Sequence, residues 1–174
     1  MSSLFYHHVL VQGIVDCLHS IFFDQKHADK VIESTLKKHR KWGSRDRRLV
    51  AETIYEVVRW RRWYEHILMQ VKPASVSAAT KEDANEYLWG LWAVHCYIKK
   101  IDWPVWYEEA SFFKEKINKW NLNKSTKPMS RAIQESIPDW MDQMGAQALP
   151  NWDSILKSLN FPSTVDLRAN ALKS

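Results

Sequence analysis

The chain has 174 residues, of which 45% are hydrophobic and 26% charged, so it can bury one sizeable core and favours a single domain with a small additional piece. Its four glycines and its long segments with a 3.6-residue period argue against a β protein and predict an all-α fold. Two cysteines without partners at metal-ligand spacing exclude a disulfide framework, and together with the lack of a recognisable signal peptide or membrane span they predict a cytoplasmic protein.

The first two helices are predicted over residues 6–23 and 26–39. Cys17 flanks the apolar face of the first helix, and we expect it to be an unreactive core thiol. His7 and His8 are adjacent in the sequence, so they cannot both point at one metal ion from a helix face. Because no other ligands stand at a useful spacing, no metal site is expected.

Residues 37–62 concentrate the positive charge of the chain. They contain ten Lys and Arg residues against three Asp and Glu residues, a net charge of +7, whereas the whole chain carries +5. The basicity therefore belongs to one segment. A basic loop followed by a basic helix indicates an anionic polymer as the partner.

The central prediction is one amphipathic helix that begins at Ser44 and continues to Leu68. Ser44 is the expected N-cap, and Asp46 follows it where the helix dipole favours an acid. Arg61 projects from the apolar stripe and is expected to snorkel or to pair with an acid. At 100° per residue, the stripe predicted to be buried consists of Val50, Ile54, Val57, Tyr64 and Leu68.

The opposite face of this helix interleaves arginines with aromatic side chains such as Tyr55, a pattern that suits phosphate pairing and base stacking. The alternative is a solvated face with internal ion pairs, such as Arg48 with Glu52, each worth only about 0.3–0.5 kcal/mol. The basic loop just ahead of the helix favours an anionic polymer over the solvated face. The predicted RNA-binding residues are Lys37, Lys38, Arg40, Lys41, Arg45, Arg48, Arg59 and Arg62.

A third long helix is predicted from Thr80 to Lys100, with His95 on its inner face as a hydrogen-bonded core histidine. The sequence Asp102-Trp103-Pro104 predicts the start of another helix, since proline lacks only an amide that would be unpaired there. Residues 121–130 are predicted to form a loop.

The remainder of the chain differs in character. A short helix is predicted over residues 131–135, followed by a helix that starts at Pro138 and another that contains Trp152. The last ten residues, from Val165, alternate apolar and polar side chains like a strand. We therefore expect a helical RNA-binding domain over residues 1–130, and over residues 131–174 connecting helices and the first strand of a truncated α/β subdomain.

Three segments resemble the N-terminal part of bacterial ribosomal RNA (cytosine-5-)-methyltransferases of the Fmu/Sun type. Residues Trp42–Arg62 resemble the helical domain of that family, which is similar to the antitermination factor NusB. Residues Ser136–Met144 resemble its Pro-Asp-Trp helix, and Val165–Ser174 resemble the strand that opens the next subdomain. The resemblance implies a NusB-like bundle that helps to hold RNA, ribosomal RNA in particular, for a separate catalytic domain of the same protein.

In that family the catalytic domain uses S-adenosylmethionine and a cysteine nucleophile. Neither Cys17 nor Cys96 stands next to a proline, as the catalytic cysteines of the family do, and no glycine-rich loop follows a strand. The resemblance therefore implies that this chain alone contains no catalytic residue and no cofactor-binding residue.

Two other functions fit the same sequence. One is a stand-alone NusB-like RNA-binding module in a transcription or ribosomal complex. The other is a helical protein-interaction domain, whose tryptophan-rich surface meets a protein while its basic face is merely solvated. The isolated strand at Val165 favours the methyltransferase domain over the stand-alone module. Salt dependence would separate RNA binding from protein binding, because phosphate contacts release counterions.

Overall fold

The computed structural model describes residues 6–77, 80–81, 84–123 and 129–161, and these residues are all-α, with ten helices and no strand. The segment from Val165 that was predicted to be a strand lies outside the described residues. The chain divides into two compact units after Ser136. The sequence analysis placed the boundary before Arg131, whereas the structure groups the short helix at 131–134 with the first unit.

The first unit contains eight helices among its described residues. They are α1 (His8–Phe22), α2 (Ala28–Lys38), α3 (Ser44–Arg59), α4 (Arg61–Val71), α5 (Pro73–Ser77), α6 (Ala84–Ile98), α7 (Ala110–Asn123) and α8 (Arg131–Gln134). The helix α6 lies at the centre and packs against α1, α3, α4 and α5, while α1 also packs against α2 and α3.

The buried stripe of the central segment is confirmed. Val50, Ile54 and Val57 of α3 and Tyr64 and Leu68 of α4 are all fully buried. This apolar stripe fixes which side of α3 faces solvent, because the residues on the opposite side have nowhere to pack.

The prediction of one continuous helix from Ser44 to Leu68 is wrong. The helix α3 ends at Arg59, Trp60 leaves the helical conformation with ψ of 18°, and α4 begins at Arg61. The first amides of a helix have no partner within it. Here the amide of Arg62 donates to the Ser136 hydroxyl at 3.2 Å, so a distant segment of the first unit satisfies one of the amides freed by the break.

An aromatic stretch covers α6 on a second side. The indole of Trp106 donates to the Tyr6 carbonyl at 2.9 Å, and the indole of Trp103 donates to the Ala93 carbonyl at 3.1 Å. The Tyr107 amide donates to the Pro104 carbonyl at 2.9 Å, which closes a turn. The helix predicted to start at Pro104 is therefore absent from that position, and the next helix, α7, begins at Ala110.

The second unit contains α9 (Asp139–Ala148) and α10 (Trp152–Asn160) among its described residues. As predicted, a helix starts at Pro138, which is its N-cap, and another contains Trp152. The Trp152 ring lies directly against Gly145, where a side chain would collide with it, and its indole donates to Asp142 at 2.9 Å. This ring holds the two short helices together.

Candidate nucleic-acid interface

The predicted RNA-binding residues begin at the end of α2, continue through the connection at residues 39–43 and enter α3. The last turn of α2 carries Lys37 and Lys38. The connection supplies Arg40 and Lys41, and Gly43 is the N-cap of α3 instead of the predicted Ser44. The chain thus brings four cations to one short turn between two helices.

Three contacts hold this turn in place. The Trp42 ring stacks on His39, with ring centroids 4.2 Å apart and nearly parallel planes. The same ring packs on α1 at Gly13, where an added Cβ would lie only 2.8 Å from the ring. Arg47 Nη1 donates to the Leu36 carbonyl at 2.8 Å, near the end of α2. A glycine in α1 is therefore what lets the turn approach so closely.

Four of the predicted cations point into solvent without an acidic partner in the part of the chain that the structure describes. They are Lys38, Arg40, Lys41 and Arg45, which we call the basic end of α3. No side chain caps the first amides of α3, since Gly43 has none to offer. Uncapped amides and the positive end of the helix dipole both favour an anion. Asp46, in the first turn, is the acid closest along the helix to these cations.

Two further predicted residues flank the basic end but already hold acids. Lys37 pairs with Glu33 at 2.6 Å, and the ammonium lowers the pKa of that carboxyl. Arg48 pairs with Glu52 at 2.7 Å. All four side chains are more than half exposed, and exposed pairs of this kind contribute about 0–1 kcal/mol. Either cation can therefore exchange its acid for a phosphate at little cost.

The last two predicted residues lie elsewhere. Arg59 is at the other end of α3, about 20 Å from Arg45 at 1.5 Å per residue. Its Nη1 lies 3.4 Å from the carbonyl oxygens of Glu135 and Ser136, and its guanidinium lies 4.9 Å from the centroid of the Trp60 ring. Arg62 belongs to α4, so the four arginines predicted on one helix are in fact divided between two.

The predicted surface is also interrupted by acids. Glu52 and Glu56 lie on the same side of α3 as Arg45 and Arg59, between the two, as helical spacing requires. The structure therefore brings the cations near residues 37–48 together and separates them from those at 59 and 62.

The sequence analysis missed two residues, Trp42 and Arg47, that hold the connection between α2 and α3 in place. Nothing in the sequence distinguishes Arg47 from any other solvent-facing arginine of a helix. The position of Trp42 could have been predicted indirectly from Gly13. This glycine interrupts an otherwise apolar helical pattern, and such a glycine often marks a close approach of another segment. The expectation for Arg61 is confirmed, since it pairs with Glu65 at 2.8 Å.

The two thiols lie in the core. Cys17 and Cys96 are buried, and burial raises the pKa of both. A nucleophilic cysteine needs its thiolate, which burial disfavours. His95 is a core residue as predicted, with its Nδ1 3.4 Å from the Tyr64 hydroxyl.

A search of the described residues finds no group of three His, Cys, Asp or Glu side chains that could hold a metal ion. Among the same residues, every helix is too short or too polar to traverse a lipid bilayer.

Comparisons of the chain with protein-family models, with curated proteins and with solved structures gave no match. The likeness to the Fmu/Sun methyltransferases therefore rests on the three sequence segments alone. Of these, Trp42–Arg62 spans the basic turn, α3 and the start of α4, and Ser136–Met144 spans the start of α9. The third segment is outside the described residues.

Proposed function

We propose that this chain is an RNA-binding accessory domain, related to the NusB-like domain of S-adenosylmethionine-dependent ribosomal RNA (cytosine-5-)-methyltransferases. The observation that carries the proposal is the basic end of α3. It combines uncapped helix amides with four exposed cations, which run from the end of α2 to the first turn of α3 across a connection that the Trp42 ring and Arg47 hold in place. A rigid cationic surface binds a polyanion without first having to order its own side-chain supports.

In this proposal the basic end positions the RNA backbone and does not read the RNA sequence. Arginine forks pair with phosphate oxygens in a bidentate manner, while lysines act as point charges. Such contacts fix where the RNA backbone lies, and they release counterions whatever the sequence of the RNA. In this proposal, selection of the cytosine therefore belongs to the catalytic domain.

The buried thiols support an accessory role. Methyl transfer to C5 of cytosine in this class needs a cysteine thiolate next to the pyrimidine ring, and both Cys17 and Cys96 are enclosed in the core. We expect the chain, incubated with S-adenosylmethionine and ribosomal RNA, to transfer no methyl group. Detectable methylation in that assay would contradict the accessory role.

The test of RNA binding is a fluorescence-anisotropy titration with several unrelated RNA fragments, some of them ribosomal. Arg40→Glu combined with Lys41→Glu should weaken binding about tenfold or more, and to a similar extent for every fragment. The matched control is Lys30→Glu combined with Lys114→Glu, which changes the net charge equally at exposed positions on α2 and α7.

Equal losses in the two double variants would mean that net charge alone governs binding and would overturn the site. Absence of RNA binding by the unaltered chain would overturn the function. It would leave the protein-interaction domain as the better description.

A further inference from the structure

A groove of about 610 Å³ lies between α3 and the C-terminal end of α6. Its wall on α3 extends from Leu49 to Arg59, with the lining residues at the three- and four-residue spacing of one helix face. Tyr6, His95 and Lys99 contribute to the rest of the lining. Sites for small molecules occupy about 300–1,000 Å³, so the groove has the size of a ligand site.

The inside of the groove presents polar side chains. His95 is 3% exposed, and its Nδ1 makes one long contact, of 3.4 Å, to the Tyr64 hydroxyl. Burial and the nearby charge of Lys99 lower the pKa of His95 to about 4. At neutral pH the ring is therefore uncharged, and one nitrogen can donate while the other accepts.

The Glu56 carboxylate lines the same groove. Its Oε2 is buried and pairs with Lys99 Nζ at 2.8 Å. A carboxylate has more acceptor sites than one ammonium occupies, so it can also accept a hydrogen bond from a ligand. By contrast, the hydroxyls of Tyr6 and Thr53 satisfy each other at 2.9 Å.

The rim of the groove offers a flat aromatic surface. Tyr55 is 50% exposed in the middle of α3. The two cations that line the same groove are already engaged: Arg59 contacts the Trp60 ring, and Lys99 pairs with Glu56. The groove thus suits a planar group with an edge of donors and acceptors, and the phosphates attached to that group are left to the basic end of α3.

We infer that this groove receives an unpaired nucleobase of an RNA strand whose backbone is held at the basic end of α3. The inference rests on the proposed function and adds the part of the RNA that is recognised. An aromatic side chain stacks on the face of any base, and a carboxylate accepts a hydrogen bond from an exocyclic amino group such as N4 of cytosine.

The groove is continuous with the basic end. Its first lining residue on α3, Leu49, is four residues after Arg45, about 6 Å along the helix. A backbone bound at the helix N-terminus therefore leads directly into the groove. A fully paired duplex keeps its bases stacked inside, so the basic end binds either form whereas the groove binds only the single strand.

The experiment uses one RNA in two forms, single-stranded and annealed to its complement, with 2-aminopurine at an unpaired position. The fluorescence of 2-aminopurine should change when the unaltered chain binds the single strand. Tyr55→Ala should weaken single-strand binding about five- to a hundred-fold, as expected for the loss of one base–aromatic stack, and leave duplex binding unchanged. Tyr55→Phe keeps the ring and should bind as the unaltered chain does.

The possible failures are distinguishable. Single-strand affinity within twofold of the unaltered chain for a folded Tyr55→Ala, or no 2-aminopurine signal on binding, would overturn the groove while leaving RNA binding at the basic end intact. In both of these cases, Arg40→Glu combined with Lys41→Glu should still weaken binding of the single strand and of the duplex. Failure of the unaltered chain to bind either form would overturn both the groove and the proposed function.

Discussion

The two ends of α3 carry the same kind of side chain in different surroundings. At the N-terminal end, Lys38, Arg40, Lys41 and Arg45 extend into solvent from a turn that other residues hold in place. At the C-terminal end, Arg59 contacts backbone carbonyls and the ring of Trp60. In the proposed function, the charges at the N-terminal end bind RNA, whereas Arg59 at the C-terminal end packs against the fold. Charge alone therefore does not assign a role to an arginine, and its neighbours in space must also be known.

The largest effect on stability is expected in the core that supports both ends of α3. Ile54 is fully buried in the middle of α3, and Ile54→Ala should lower the free energy of unfolding by about 2–5 kcal/mol. Val9→Ala, at a position 61% exposed on α1, is the control and should change little. Urea denaturation measures both, and a variant at Ile54 as stable as the parent would refute the assignment of the buried stripe.

The second effect is a pH dependence of stability that comes from the buried His95 in the groove beside α3. The pKa of His95 falls from 6.5 when unfolded to about 4 in the folded protein. Above pH 6.5 neither state binds the proton, so His95 has no effect on stability. As the pH falls from about 6.5 to 4, the unfolded state gains a proton that the folded state does not. Stability should therefore fall by about 3 kcal/mol over this window.

This pH dependence should be measured by urea denaturation at several pH values. His95→Gln should remove most of the slope between pH 6.5 and 4, whatever its effect on stability at neutral pH. His66, whose pKa burial also lowers, accounts for part of any slope that remains. An unchanged slope in His95→Gln would show that His95 is not the buried group responsible.

The smallest effect compares the arginines directly. Arg59→Ala should cost about 0.5–1 kcal/mol of stability, chiefly through loss of its contact with the Trp60 ring. Arg45→Ala should change stability by less than about 0.5 kcal/mol, as expected for a surface side chain without partners. Thermal unfolding of the two variants side by side gives the comparison. A larger loss for Arg45 would reverse the roles assigned to the two ends.

The sequence predicted the parts of this arrangement that depend on local periodicity. The buried stripe, the position of α3 and the pairing of Arg61 follow from helical spacing, which does not change when the helix packs. The break at Trp60 could not be predicted, because the apolar pattern continues through it without proline or glycine. The hydroxyl that binds the freed amide of Arg62 comes from Ser136, 74 residues away.

The candidate site was also predicted only in part. The cluster of cations near residues 37–48 could be predicted from the composition of that segment. The contacts of each cation depend on which residues lie nearby in space. Arg59 contacts two carbonyls and the Trp60 ring, whereas Lys38, Arg40, Lys41 and Arg45 have no acidic partner among the described residues. The groove was not foreseen for the same reason: its walls combine α3 with His95 and Lys99 from α6 and the residue after it.

The most direct test of the account is the salt dependence of RNA affinity. The slope of the logarithm of the binding constant against the logarithm of the salt concentration should be measured for the unaltered chain. It should also be measured for a variant with glutamine at positions 38, 40, 41 and 45. Each lost phosphate contact reduces the slope by about 0.7–0.9, so the variant should lose roughly 3. Arg59→Gln should leave the slope unchanged. An unchanged slope in the fourfold variant, with the chain still folded and binding RNA, would contradict the basic end as the RNA-binding surface.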